Sequence, residues 1–105
     1  MAQAPLQPQR AGVPLRRPVH PGRFLARHVL APLALSQSEA ARRLGISRRR
    51  MHEIVQGQRA MTPDTAIRCA LAFGVPASHL LHLQTGWDAF RAWHDMRRAR
   101  ASGSR

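Results

Sequence analysis

The chain has 105 residues, the length of one small domain, and its 44% hydrophobic content is typical of a globular protein with a compact core. All 17 basic residues are arginine and only 5 residues are carboxylates, which gives a formal net charge of +12. This excess of positive charge favours a polyanionic partner, nucleic acid first and an acidic membrane surface second. The spacing of the few carboxylates gives no candidate acid/base pair, which argues against an enzyme.

The N-terminal part of the chain is rich in proline and arginine. Residues 1–19 carry four prolines with Gln and Arg between them, a composition that cannot bury a core, so we predict a disordered basic arm. Ordered structure is expected from His20, because Pro21 suits a first helical turn. A short amphipathic helix around Phe24 and Val29 should stop before Pro32, since the residue preceding a proline avoids helical geometry.

Residues 36–59 predict two short helices joined by a glycine turn. Ser36 can cap the first helix and Gly45 can end it in the left-handed conformation. Ser47 can cap a second helix over Arg48–Gln56, which opens with three arginines. The turn of three or four residues containing a glycine matches the helix-turn-helix signature. The residues predicted to face inward are Ala40, Ala41, Leu44, Met51, Ile54 and Val55.

A further helix is predicted to begin at Thr62-Pro63-Asp64, which supplies a cap, a first-turn proline and an acid at the positive end of the dipole. We expect Gly74 to end it and the lone Cys69 to act as a small buried hydrophobe. The inward stripe is predicted to be Ala66, Ile67, Ala70, Leu71 and Phe73.

The C-terminal part predicts two more helices, a short one after Val75 and a last one from about Thr85 to Arg100. The last helix carries an aromatic stripe of Trp87, Phe90 and Trp93. The sequence leaves open whether this stripe packs into the core or binds a second copy of the chain. Residues 101–105 should fray. With no alternating strand pattern, the prediction is an all-α fold of five or six helices over residues 20–100. A core this small makes a homodimer plausible.

The pattern as a whole resembles a known family. The segments HPG, LSQSEAARRLGIS, QGQRAMTPDTAIR and LHLQTGWD occur in that order over about residues 20–95, and they are similar to the Xre-type helix-turn-helix family, more closely to its HigA antitoxin branch. The resemblance implies a compact lambda-repressor-like domain with a C-terminal helical extension. It also implies a dimeric autorepressor that binds a double-stranded DNA operator and sequesters a HigB-like ribonuclease toxin. A stand-alone regulator without a toxin and a non-specific nucleic-acid-binding protein remain alternatives.

The start of the second helix of the motif carries the expected DNA contacts. Helix N-termini of this type point into the major groove, and arginine bidentate to guanine is the commonest specific contact there. We therefore expect Arg48 and Arg49 to contact base edges, and we include the capping Ser47 among the residues that contact DNA. Arg50 is expected to contact phosphate. His52, one turn further on, is also included among the residues that contact DNA, although the sequence leaves open whether it faces the groove or solvent.

Two more DNA contacts follow from the resemblance. The glutamine that matches Gln37 contacts the DNA backbone in Xre-type proteins, and the residue that matches Arg59 often binds phosphate in the family. Glu53 is open to two interpretations, acceptance from cytosine N4 or an ion pair with Arg49 or Arg50, of which the ion pair is favoured.

We expect no cofactor, no metal and no membrane association. No stretch approaches the ~18 apolar residues needed to span a bilayer, the N-terminus lacks a continuous hydrophobic signal core, and one cysteine can form no internal disulfide. The sequence therefore predicts a cytoplasmic, non-enzymatic protein.

Overall fold

The computed structural model describes residues 7–8 and 11–103 of the chain. Positions 1–6 and 9–10 of the predicted arm and 104–105 of the predicted tail lie outside the described residues. Those described form five α-helices and no strand, which confirms the all-α prediction. The helices are α1 (Pro21–Leu25), continued by a π-helical turn (Ala26–Leu30), then α2 (Gln37–Leu44), α3 (Arg48–Val55), α4 (Pro63–Phe73) and α5 (Ala77–Gly103).

The chain divides into two compact units. One, called here the bihelical unit, is Val19–Gln84, and the other, the terminal unit, combines the chain up to Pro18 with the chain from Thr85. In the bihelical unit α3 packs against α1 and α2, and α2 also packs against α4. Its core contains the six positions predicted to face inward from α2 and α3, together with Leu25, Leu30, Met61, Ala66, Cys69 and Leu80.

The local start and stop signals act as predicted. Ser36 Oγ accepts a hydrogen bond from the backbone N of Glu39 at 3.0 Å, and Thr62 Oγ1 accepts one from the backbone N of Thr65 at 3.3 Å. Gly74 ends α4 in the left-handed conformation, at φ 74°. Each terminus is therefore satisfied by a residue that belongs to the same local segment.

Helices α1 and α3 approach each other backbone to backbone at Gly22. A Cβ atom placed on Gly22 would lie 1.7 Å from the carbonyl O of Ile54, so only glycine fits there. His20, itself buried, caps α1 at this point, because its Nδ1 accepts a hydrogen bond from the backbone N of Gly22 at 2.9 Å. The close approach of Gly22 to Ile54 sets the position of α3 against α1.

The predicted inward stripe of α4 is partly wrong. Ile67 is 53% exposed and Leu71 is 84% exposed, whereas Thr65, Ala66 and Cys69 are buried. The apolar residues of this helix occupy more than one side, and the side that packs is the one with small side chains, which lets α4 lie close to its neighbours. The burial predicted for Cys69 is confirmed.

The C-terminal part forms one helix where two were expected. Helix α5 runs through Gly86 without a break, because a single glycine costs only about 1 kcal/mol in a helix interior. Within the bihelical unit, the buried Gln84 accepts a hydrogen bond on Oε1 from the backbone N of Met61 at 2.7 Å, which joins the start of α5 to the loop before α4. The helix continues to Gly103.

The terminal unit places the aromatic stripe in two environments. Trp93 is only 7% exposed, so the core role holds for this residue. Trp87 and Phe90 are half-buried. The Arg17 guanidinium lies 5.5 Å from the ring centroid of Trp87, a cation–π distance. That residues 1–19 form a disordered arm stays a prediction.

Candidate DNA-binding surface

The connection between α2 and α3 is a tight turn built on Gly45. Gly45 has φ 70° and ψ 33°, and its N–H donates to the carbonyl oxygens of Ala41 and Arg42. Ser47 then begins α3, since its Oγ accepts from the backbone N of Arg50 at 3.0 Å. Ile46 lies between them and packs against the core. This geometry is the helix-turn-helix turn that the sequence predicts.

The first two turns of α3 carry two different faces. Arg48, Arg49 and His52 are exposed, and the Arg49 side chain is 88% accessible to solvent. Met51 and Ile54 on the opposite face are completely buried. The helix therefore presents a cationic N-terminal face while its apolar face holds it to the domain, which is the arrangement that major-groove insertion needs.

Gln37 and His52 come together across the turn. Gln37 is the first residue of α2, and a hydrogen bond of 3.0 Å joins its Oε1 to His52 Nδ1. Two of the residues expected to contact DNA, fifteen positions apart in the chain, thus lie side by side. The pair connects the start of α2 to the exposed face of α3.

Arg50 points towards α4. Its Nη2 donates to Thr65 Oγ1 at 2.5 Å and lies 3.6 Å from Asp64 Oδ2. The side chain is only 30% exposed. Arg50 therefore ties α3 to the first turn of α4, and its expected contact with phosphate stays a prediction.

Glu53 lies between two arginines. Its Oε2 is 3.4 Å from Arg49 Nε, and its Oε1 accepts a hydrogen bond from Arg59 Nε at 2.9 Å and lies 2.8 Å from Arg59 Nη2. The pKa of Glu53 is lowered, and the hydrogen bond from Arg59 contributes most to this shift. The favoured ion pair with Arg49 is confirmed, whereas a pair with Arg50 is wrong because Arg50 pairs with Asp64.

Sequence reasoning missed the link from Glu53 to Arg59 and the one from Arg50 to Thr65. Arg59 follows the end of α3, so its return to Glu53 depends on the loop that Gly57 begins with φ 75°. Thr65 lies 15 positions after Arg50. The only signal in the sequence was the excess of arginine near few carboxylates, which indicates pairing without saying which residues pair.

The described part of the chain offers little else that carries chemistry. No group of three or more His, Cys, Asp and Glu side chains there is placed to hold a metal ion. Among the helices described, none is both long and apolar enough to cross a membrane. The exposed arginines at the start of α3 remain the candidate DNA-binding surface, because they are accessible while the opposite face of the helix is buried.

Comparison with known proteins identifies the family of the chain. The model of a family described as "Helix-turn-helix domain" matches residues 15–83. Virulence-associated protein I of Dichelobacter nodosus is 40% identical over 77 residues, which cover 73% of this chain and 71% of the relative.

Two solved structures from Pseudomonas aeruginosa share the fold and contain DNA. Antitoxin HigA with the higBA promoter has a TM-score of 0.74 and 30% identity over 78% of this chain and 89% of that one. PA4674 in complex with its operator DNA has a TM-score of 0.71 and 32% identity over 75% of this chain and 85% of that one. The protein is accordingly no enzyme: it belongs to the helix-turn-helix domain family of DNA-binding proteins, as a HigA-type member of that family.

Proposed function

We propose that the protein is a sequence-specific repressor of its own promoter and the cytoplasmic antitoxin of a HigB-like ribonuclease toxin. The observation that carries the DNA-recognition part is the exposed face of α3, where Arg48 and Arg49 stand free of the core while Met51 holds the helix from behind. A helix presented in this way enters the major groove with its N-terminal residues at the base edges.

The contacts divide into two kinds. Arg48 and Arg49 contact base edges, where a guanidinium matches the O6 and N7 acceptors of guanine. Gln37 and Arg59 contact phosphates and fix the register of the protein on the duplex without sequence information. His52 supports Gln37 through their shared hydrogen bond. DNA contacts by Ser47 and Arg50 stay predictions, since the first caps α3 and the second binds α4.

Repression is steric in this proposal, because a bound homodimer covers the promoter. A two-fold dimer needs two half-sites about one helical turn apart, or a multiple of it. Two observations support self-association: the small core of the chain, and apolar side chains on α5, among which Met96 is 54% exposed and Phe90 half-buried.

The deciding experiment compares three ligands at physiological salt: a duplex of the native promoter, a random duplex of equal length, and an RNA. Fluorescence anisotropy should give tightest binding to the promoter. Its log affinity should fall steeply with log salt, by ~0.9 for each neutralised phosphate. Equal affinity for the promoter and the random duplex would instead indicate a non-specific nucleic-acid-binding protein.

Toxin neutralisation is supported by the similarity to HigA of P. aeruginosa, which is named an antitoxin. The test co-expresses this chain with the product of a small neighbouring reading frame. Co-purification and relief of growth arrest are expected. A neighbour that neither binds nor arrests growth would leave the function as a stand-alone regulator.

A further inference from the structure

We infer that Glu53 is a specificity-determining positioning residue: it holds Arg59 firmly and Arg49 loosely, and thereby weakens binding to DNA that lacks the right base. This inference rests on the proposed recognition of DNA by α3. It gives Glu53 a role that differs from the direct acceptance from cytosine N4 that the sequence left open.

The two ion pairs of Glu53 differ in geometry. Arg59 places both Nε and Nη2 within 2.9 Å of one carboxylate oxygen, and its side chain is half exposed. Arg49 reaches the other oxygen through Nε alone at 3.4 Å, with 88% of its side chain exposed. A short contact made by two N–H groups fixes the direction of a guanidinium, whereas one long contact does not. Arg59 is therefore oriented before DNA arrives, and Arg49 is free to leave.

The negative charge of Glu53 weakens binding to DNA phosphates, whereas the charges of the arginines strengthen it. Its side chain is 24% exposed, and the hydrogen bond from Arg59 lowers its pKa, so it is ionised at neutral pH. A carboxylate beside the arginine face repels phosphates, and such a like-charge contact suppresses wrong partners.

Cognate and random DNA differ in the acceptors that they offer to Arg49, the loosely held partner of Glu53. A guanine at the right position gives Arg49 two acceptors in exchange for its one long contact with Glu53. A random duplex offers no such pair of acceptors, so Glu53 retains Arg49 and this arginine adds little to random binding. Glu53 should therefore weaken random binding more than promoter binding.

The experiment replaces the charge without changing the shape, by Glu53→Gln. Glu39→Gln is the matched control, because Glu39 also pairs with two arginines, Arg42 at 2.7 Å and Arg43 at 3.9 Å, but on α2. Binding to the promoter duplex and to a random duplex is measured for each variant. Thermal unfolding is followed in parallel to verify that both variants fold like the parent protein.

Glu53→Gln should raise affinity for the random duplex about fivefold, the size of one exposed ion pair, and change promoter affinity less than twofold. Glu39→Gln should shift both duplexes by one common factor. In an Arg49→Ala background, Glu53→Gln should no longer change the ratio of the two affinities, since the selective effect acts through Arg49.

Two results would contradict the inference about Glu53, and they differ in what they say about the proposed function. If the parent protein discriminates the promoter and Glu53→Gln discriminates equally well, the inference about Glu53 is overturned while the proposed function stands. If the parent protein itself does not discriminate, the proposed function fails and the inference fails with it.

Discussion

Replacing Gly22 by alanine tests whether the position of α3 depends on backbone contact with α1. The added methyl would lie 1.7 Å from the carbonyl O of Ile54, about half of an ordinary carbon–oxygen contact. The atom in the way is backbone, so no side-chain rotation relieves the clash, and α1 must move from α3 by well over 1 Å as a rough estimate. Overpacking a well-packed site costs about 1–3 kcal/mol, and a rigid neighbour puts Gly22→Ala at the upper end.

Gly86→Ala is the matched control for this substitution. A Cβ on Gly86 would meet only Pro14 Cγ, at 3.9 Å, which is an ordinary van der Waals contact. Because Gly86 lies inside α5, alanine should stabilise the helix there by about 0.5–1 kcal/mol. The same chemical change thus has opposite expected signs at the two glycines.

Urea unfolding followed by circular dichroism measures the free energy of unfolding of both variants, and anisotropy measures their affinity for the promoter below the unfolding transition. Gly22→Ala should lose stability and promoter affinity together, since the displaced helix is the one that we propose to enter the groove. A Gly22→Ala protein as stable as the parent would refute the argument that this contact sets the position of α3.

Three other predictions follow from the same geometry. Arg49→Ala should relax the preference at one base position per half-site by about 1–3 kcal/mol, whereas Arg59→Ala should weaken all duplexes equally; affinities for a full set of single-base promoter variants separate the two, and a uniform loss for Arg49→Ala would make it a phosphate contact. Burial raises the pKa of Cys69 to about 11, so at pH 8 its thiol is protonated in the folded protein and should react with a disulfide reagent much more slowly than in urea. Rapid reaction of the folded protein would contradict its burial. Phe90→Ala should weaken the homodimer in sedimentation experiments while promoter half-site binding persists, and a parent protein that stays monomeric at high micromolar concentration would contradict self-association.

Features that depend on neighbouring residues could be predicted from the sequence. Ser36 and Ser47 begin their helices and Gly45 ends one because a cap acts on backbone groups within three or four positions. The buried faces of α2 and α3 follow equally directly, since each helix has a single apolar side.

Features that depend on distant residues could not be predicted. Leu71 is 84% exposed although it is apolar, because α4 has more apolar positions than one face can bury and only its packing partners decide which side turns inward. Likewise, Arg50 and Arg49 are adjacent in a run of arginines, but one binds Thr65 and the other reaches Glu53. The sequence shows which side chains are charged, but only the fold determines which of them form ion pairs and hydrogen bonds with each other.

Helix α3 is held from two directions, by the backbone of Gly22 on one side and by the bond from Arg50 to Thr65 on the other. These two contacts resist tilting or sliding of the helix, so a groove that does not match α3 must change its own shape for the helix to bind. Bending and twisting DNA costs free energy that depends on its base steps, and flexible steps such as TA and CA lower that cost. We therefore expect promoter positions that no side chain touches to matter as well, because a stiff protein selects DNA by how readily it deforms.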